Sequence, residues 1–472
     1  MRPQSRRLSS AVPFYRNVRV LAMLAQVAFG LAVIGLGWLL LTTMLGNLRR
    51  QGIPISFDFL HQPAGFAISE CPHFDPSQSY LMAFGCGIVN TLRAAVAGVV
   101  LATLLGIGIG VARLSPNWLL ARLATLYVET FRNVPLLLWL VFTYAAIRET
   151  LPRLREGPAL LWGAVLLSNR GVALAWPQTT ATADAFWPWL LAGVGLGLAL
   201  WLWTAWTARR PSAGFPLGAL GRGLAAGAAV WVVGFLYTWV TAQLPEGATL
   251  DPEAHTVFVD RNRNSIRDAG EPPLAGVRVT WRMARGEVSE LTLADGSFHV
   301  AAGDTEGSSP ITLSATAPVV WSVPRIQGFN YRGGLVLSPE FAALLFGLVV
   351  YTASFIAEVV RAGILAVPRG QREAAKALGL SDGQTFVLII FPQALRVIIP
   401  PLINQYLNLT KNSSLAIAVG YPDLFSVGLT INNQTGQAIP FVLMIMVTYL
   451  SLSLLTSLVL NLVNRRLTRK TA

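Results

Sequence analysis

The sequence is short of the residues that carry most chemistry. Only two cysteines, Cys71 and Cys86, and four histidines occur in 472 residues. Their spacing fits neither a zinc ligand set nor a C-x-x-C redox pair, and no His/Cys/carboxylate cluster supports a metal-dependent reaction. The phosphate-cradling pattern G-x-x-x-x-G-K-[ST] is absent, which excludes a standard P-loop ATPase, and there is no nucleophile elbow. Internal repeats and low-complexity tracts are missing too. Charge is scarce: 12% of the residues are Asp, Glu, Lys or Arg, about half the share in a soluble domain. Catalysis by this chain is not expected.

What is abundant is apolar. Hydrophobic residues make up 53% of the chain and the mean hydropathy is +0.54, more apolar surface than a soluble fold of this length hides. The expected fold is an all-α polytopic membrane protein of about eight transmembrane helices. Residues 1–243 hold spans near 18–45, 86–111, 121–147, 186–207 and 223–242; three more lie near 341–365, 397–417 and 439–463. An excess of 36 Lys and Arg over 23 Asp and Glu would suggest nucleic acid in a soluble chain. Here the basic residues gather at Arg2, Arg6, Arg7 and Arg16, at Arg113 and Arg122, at Arg209, Arg210 and Arg222, and at Arg465, Arg466, Arg469 and Lys470. That is the positive-inside pattern, so both termini are expected in the cytoplasm, with lipid and not nucleic acid as the partner. The first apolar run is long enough to stay in the membrane and not be cleaved.

Arg148, Arg153, Arg155 and Arg170 break this pattern in an expected outer region. Within it Pro158–Ser168, apolar but too short to cross, is read as re-entrant or interfacial. Residues 46–84 and Gly420–Gln437 are read as outer loops. Cys71 and Cys86 both fall near the outer side, which leaves a disulfide between them open. Residues 244–333 change character: alternation at Val277, Val279 and Trp281 and an Asp295-Gly296 turn indicate a small inserted extracytoplasmic β-domain.

The third part, residues 334–472, contains a polar island at 370–392 between two spans. Gln371–Leu378 is built from strong helix formers, and Gly379 stands where a left-handed residue would stop the helix. Ser381 with Gln384 three positions on is a capping box for a second helix, whose regular part Pro392 should limit. Inside the spans, Glu358 and Arg361 share a helix face, and Glu129 lies with Arg132 before Pro135. Thr410, Lys411, Asn412, Ser413 and Ser414 interrupt span seven. Polar groups there are expensive and mark either a pathway or helix–helix bonding. A zwitterionic substrate would need donors, which Lys411, the Asn412 amide and the hydroxyls of Thr410, Ser413 and Ser414 offer. It would also need acceptors, which Glu129, Glu358 or both offer, Arg361 standing beside the latter. An interfacial salt bridge is the competing reading of Glu358 and Arg361.

Glu373, Ala374, Ala375, Gly379, Ile389 and Pro392 stand at the spacing E-A-A-x3-G-x9-I-x-x-P. This resembles the signature loop of permease subunits of binding-protein-dependent ABC importers. Tyr351–Gly363, Pro392–Arg396, Pro400-Pro401, Asn404-Gln405, Leu409–Ser414, Asn90–Arg93 and Tyr127–Pro135 resemble the polar and general L-amino-acid branch. The resemblance implies the ABC importer permease fold and a place in the bacterial inner membrane. It also implies ATPase subunits that dock on the loop, a second permease (a copy or a different chain), an extracytoplasmic amino-acid-binding protein and an amino-acid substrate. It implies no cofactor in the permease body.

Residues 244–333 depart from that family. Asp260, Asn262, Asn264, Ile266, Asp268 and Glu271 occupy positions 1, 3, 5, 7, 9 and 12 of a calcium loop, with Ser265 in place of the usual glycine. A polar turn without metal is the competing reading. The run Val257–Val279 resembles the calcium-binding B-type repeats of bacterial adhesins, which implies a β-sandwich and Ca²⁺. The expected function is thus the permease subunit of an ATP-driven amino-acid importer. The rival is an amino-acid-sensing or adhesion membrane protein with a degenerate permease body.

Overall fold

The computed structural model describes residues 18–50, 56–207, 217–298 and 311–469, apart from 73, 252, 253, 269, 284, 285 and 294, and 328 and 329. Both chain ends, and with them the expected cytoplasmic termini, lie outside the described residues. Twelve α-helices are described: α1 Val18–Arg50, α2 Tyr80–Ala112, α3 Trp118–Asn133, α4 Leu136–Thr150, α5 Trp187–Thr207, α6 Leu217–Val240, α7 Pro339–Leu365, α8 Arg369–Ala377, α9 Asp382–Thr385, α10 Phe391–Asn412, α11 Leu424–Thr435 and α12 Ala438–Arg469. Seven described helices are long and apolar enough to cross a membrane, or eight spans if α3 and α4 count as one broken span.

That break corrects the expectation of a continuous span over 121–147. The residue before a proline is pushed out of the helical region. Val134 is extended (φ −106°, ψ 131°), Pro135 follows at ψ 139°, and α3 and α4 meet at 104°.

The core is formed where α2, α4, α7 and α10 meet, with Ala94, Ala102, Leu140, Leu344, Leu348, Ala353, Ile356, Ala394 and Leu409 buried. Lipid tails are as apolar as leucine, so small residues that permit close backbone approach hold such helices together. At Gly106 a Cβ would lie 2.6 Å from Ile356 Cβ, and at Gly110 a Cβ would lie 2.8 Å from the Ala357 carbonyl. The hairpin α5–α6 closes in the same way, Gly193 and Gly197 facing Gly223 and Gly227.

Outside the membrane helices, thirteen short strands are found among the described residues. Four precede α5: β1 Ala159–Leu160, β2 Val165–Ser168, β3 Gly171–Leu174 and β4 Trp176–Thr179. Nine follow α6: β5 Ala248–Asp251, β6 Thr256–Val259, β7 Arg278–Met283, β8 Gly286–Leu291, β9 Thr312–Ser314, β10 Val319–Ser322, β11 Arg325–Gln327, β12 Asn330–Arg332 and β13 Leu335–Leu337. Pro158–Ser168 is therefore strand and turn, not a re-entrant segment. Its apolar residues are accounted for by pairing in the sheet β1-β2-β3-β13, while β4 pairs antiparallel with β10. Segments on both sides of α5–α6 thus build one β region. The Tyr331 hydroxyl bonds Ser168 Oγ at 2.8 Å, and Thr180 and Thr182 donate to the carbonyls of Ala317 and Thr316. A second cluster buries Val257, Leu274, Val277, Val279, Trp281 and Phe298 beside the sheets β5-β6 and β8-β7-β9.

Residues 56–79 are not a bare loop. Phe59, Ala64, Ile68 and Phe74 pack on Tyr80, Ala83 and Phe84 of α2 and on Leu424, Val427 and Ile431 of α11. Cys71 and Cys86 form a disulfide that fixes this segment to α2. The expected outer loop 420–437 contains α11, started by Asp423, whose carboxylate accepts from Ser426 N–H at 2.9 Å, and ended by left-handed Gly436.

Candidate functional site

The island at 369–392 folds as its local chemistry demands. After α8, Leu380 N–H donates to the Ala375 carbonyl (3.1 Å) and Gly379 N–H to that of Lys376 (2.9 Å). This pair of bonds is a Schellman end, and it requires a left-handed residue, which Gly379 supplies at φ +76°. Ser381 and Gln384 cap α9 reciprocally. Lys376 Nζ lies 3.3 Å from Asp382, bracing the two helices across the turn.

Ala375 and Thr385 are buried against the membrane part, while Glu373, Ala374 and Gly379 are exposed. Leu378, an apolar side chain, is 80% exposed. Ile389 and Pro392 are half-buried. Pro392 does not limit the second helix as expected. A π-helical turn, Phe386–Ile390, joins α9 to α10, and Pro392 sits in the first turn of α10. Its missing N–H falls where the chain passes from the π-turn into α10, at a change of hydrogen-bond register.

Between α7 and α10 lies a partly open cavity of about 210 Å³ lined by Tyr351, Thr352, Phe355, Gln405, Asn408 and Asn412. Positions 351, 355 and 405, 408, 412 each form one helical stripe, so amides face aromatic rings and a hydroxyl. Of these, the sequence reading offered only Asn412 to a substrate and missed the others, although amides at i, i+3 and i+7 in an apolar span were a visible signal. The expected donors are placed differently. The Thr410, Ser413 and Ser414 hydroxyls donate to the carbonyls of Tyr406, Thr410 and Lys411 in their own helix. They mark where α10 tightens into the 3₁₀ segment Ser413–Val419. Lys411 is exposed, as is Glu129.

Glu358 is not a free acceptor for an ammonium group. Its carboxylate pairs with Arg113 from α2 and with Arg361 at 2.5 Å, and Arg132 from α3 stands 3.8 Å away. Arg132 also lies over the Phe355 ring, 5.1 Å from its centroid. Of the two sequence readings of Glu358 and Arg361, the ion pair is what the structure shows; neither residue lines the cavity, whose nearest lining residue on the same helix is Phe355.

In the β region, the loop 260–271 is closed by its own hydrogen bonds. Asp260 accepts from the N–H groups of Arg263, Asn264 and Ser265, Glu271 accepts from those of Arg261 and Asp268, and the side chains of Asn262 and Asn264 donate to Asp268. Asp260 and Glu271 are buried and Asp268 is exposed; Ile266 is exposed too. Among the described residues no three His, Cys, Asp or Glu side chains are grouped to hold a metal ion. Asp260 and Glu271 accept from backbone amides and Asp268 from side-chain amides of the same loop.

Asp423 is fully buried and its carboxyl is pushed up to about 6 by that burial, against the lowering pull of the Ser426 and Phe425 N–H groups and the Tyr449 hydroxyl. Next to it Asn90 donates to the Pro422 carbonyl, Leu424 N–H donates to Thr91, and the Tyr421 hydroxyl donates to the Asn90 carbonyl. This polar knot ties α2 to the turn before α11.

Comparison with known proteins gives a consistent picture. The family described as "Binding-protein-dependent transport system inner membrane component" matches residues 311–469. The putative amino-acid ABC transporter permease YhdX of Escherichia coli K12 is 38% identical over 456 residues, covering 96% of this chain and 95% of that protein. The general L-amino acid transport system permease AapQ of Rhizobium johnstonii is 36% identical, with 96% and 93% covered. The glutamate/glutamine/aspartate/asparagine transport system permease BztB of Rhodobacter capsulatus is 36% identical, with 93% and 92% covered.

Proposed function

The chain belongs to the amino-acid ABC transporter permeases of the binding-protein-dependent inner-membrane family, and from that premise we propose how its parts serve transport. It is a non-catalytic, multi-span inner-membrane subunit of an ATP-driven amino-acid importer, and ATP is hydrolysed by a separate partner. The sensing or adhesion alternative is set aside, since the relatives that align along almost the whole chain are permeases.

The observation that carries the coupling role is the solvent-facing helix–turn–helix at 369–385, which holds Leu378 and Glu373 outward on a rigid turn. An apolar side chain beside a carboxylate and small alanines suits a groove on an ATPase. Glu373, Ala374, Gly379 and Leu378 make the contact; Ala375, Ile389 and Pro392 set the angle at which the loop leaves the membrane. Glu373→Lys with Gly379→Asp should leave the chain in the membrane and abolish both ATPase co-purification and ATP-driven uptake. Normal uptake by that double variant refutes the assignment.

The amino acid passes through the cavity between α7 and α10, with Gln405, Asn408, Asn412 and Thr352 serving its polar groups and Tyr351 and Phe355 its side chain. Lys411 and Glu129, exposed on a single chain, face the second permease subunit, a copy or a different chain, beside the path. Thr410, Ser413 and Ser414 shape the bend at its outer end. The loop 369–385 lies in the cytoplasm and the β region outside, where it meets the binding protein's compartment. A cysteine at Ala254 should react with an impermeant thiol reagent added outside and one at Gly383 should not, against a background in which both native cysteines are bonded.

For residues 244–333 the adhesin-like β-sandwich and its calcium rest on the oxygen pattern at Asp260, Asn262, Asn264, Ile266, Asp268 and Glu271 alone. A cation there would share the carboxylate oxygens with the amide hydrogen bonds that close the loop. Calcium should then raise the melting temperature of the full complex, and Asp260→Asn with Glu271→Gln should remove the rise. Identical melting in calcium and in chelator removes the metal.

A further inference from the structure

Three guanidinium groups from three helices, those of Arg113, Arg132 and Arg361, converge on the single carboxylate of Glu358. The patch therefore carries two positive charges in excess. Even counting Glu129, one turn before Arg132 on α3 and in no ion pair among the described residues, it stays positive. An excess of positive charge at the inner end of the helices is partly covered by protein, and an anion that reaches it is bound favourably. The guanidiniums are not equally committed. Arg113 is bonded to Glu358 and largely covered, whereas Arg132 stands beyond hydrogen-bond distance at 3.8 Å with its side chain 38% exposed. Nε of Arg361 is buried without a partner.

The patch also adjoins the cavity. Tyr351, Phe355 and Glu358 are spaced i, i+4, i+7 on α7, so they form one stripe, with Glu358 about 4.5 Å further along the helix than Phe355. Phe355 lines the cavity and is covered by Arg132. Since α7 runs on into the loop 369–385, the step from Phe355 to Glu358 leads from the cavity towards the ATPase side.

Resting on the permease reading above, we propose that Arg132 and Arg361 receive the carboxylate of the amino acid as it leaves the cavity. The same positive patch selects the cargo: acidic and neutral amino acids pass, and those with a cationic side chain are turned back. Each guanidinium offers a planar fork that fits a carboxylate, so Glu358 and the departing substrate compete for the same donors. Glu358 closes the exit when no substrate is there, and a second carboxylate on the cargo strengthens the exchange.

The test uses the complete complex in proteoliposomes with internal ATP and saturating binding protein, comparing labelled glutamate with labelled glutamine. Arg132→Gln should lower the glutamate-to-glutamine rate ratio about tenfold, the equivalent of one charge-assisted contact. Arg132→Lys, which keeps the charge, should restore most of the ratio, and Arg361→Gln should act in the same direction as Arg132→Gln. ATPase stimulation by the binding protein, measured alongside, reports that each variant is assembled. A fall of both amino acids by the same factor overturns the proposal and leaves the cluster a brace. So does a wild-type ratio that changes when anionic phospholipid is omitted, which would give the guanidiniums to lipid phosphate. Wild-type vesicles that take up neither amino acid would refute the permease reading itself.

Discussion

Gly106→Ala adds one methyl group at the tightest point of the α2–α7 contact. Its carbon would sit 2.6 Å from both Cβ and Cγ2 of Ile356 and 3.0 Å from the Ala353 carbonyl oxygen. Carbon atoms in packed interiors rest at about 3.5–4.0 Å, so the helices must separate by roughly 1 Å. No rotamer change relieves this, because the Ile356 Cβ is fixed to the backbone. Overpacking of this kind costs about 1–3 kcal/mol, each 1.4 kcal/mol being about tenfold in the folded-to-unfolded ratio. Spreading α2 from α7 also draws Arg113 away from Glu358, so uptake should fall with stability. Gly108, two residues on, is the control: a Cβ there meets nothing within 4 Å, so Gly108→Ala should be neutral or stabilising by up to roughly 1 kcal/mol through its helix preference. Thermal unfolding of the purified complex in detergent, followed by gel filtration after heating, measures both. Equal midpoints for Gly106→Ala and Gly108→Ala would refute the packing argument.

Gly379→Ala places a side chain at φ +76° with open space around it, so its cost is conformational only, about 1–2 kcal/mol. Gly379→Asn should cost less, and the order Gly, Asn, Ala should appear in the affinity of the ATPase for the permease. Cys71→Ser opens a loop with a sequence separation of 15, worth about 3 kcal/mol in the chain-entropy account. Protease should then cut residues 56–79 of the variant, and of the reduced wild type, but not of the oxidised protein. Asp423 binds its proton more tightly folded, at about 6, than its ordinary value of 3.8. Its protonated form therefore stabilises the fold below about pH 4, and this contribution is lost as pH rises through 6. Melting temperature should fall across that window in the wild type and less so in Asp423→Asn.

Features set by neighbours in the chain were legible from the sequence. Gly379, Ser381 and Gln384 each do what their own side chains, or lack of one, require within four residues. The Val134-Pro135 break obeys an equally local rule, yet the continuous apolar run over 121–147 hid it. Hydropathy reports depth in the membrane and is blind to direction. What depends on distant partners was not legible. Nothing around Glu358 indicates that Arg113 and Arg132 reach it from two other helices, and nothing in Ser413 or Ser414 shows that their hydroxyls are spent on their own backbone. The apolar stretch 158–168 looked like a membrane segment although its strand partner, Gly171–Leu174, follows directly; only the next strand of that sheet, Leu335–Leu337, is distant.

The pairing of β4 with β10 has a consequence for biogenesis. Trp176–Thr179 leaves the ribosome about 140 residues before Val319–Ser322, and the hairpin α5–α6 is made in between. The early strand must therefore wait, unpaired, while two helices enter the bilayer and the next segment is made. Closing so long a loop is slow, and an open edge is exposed to wrong partners meanwhile. A hairpin that enters only halfway leaves the two strands on opposite sides of the membrane, where they cannot meet. Closure of this sheet is thus a late event that records whether the preceding helices were threaded in the right direction.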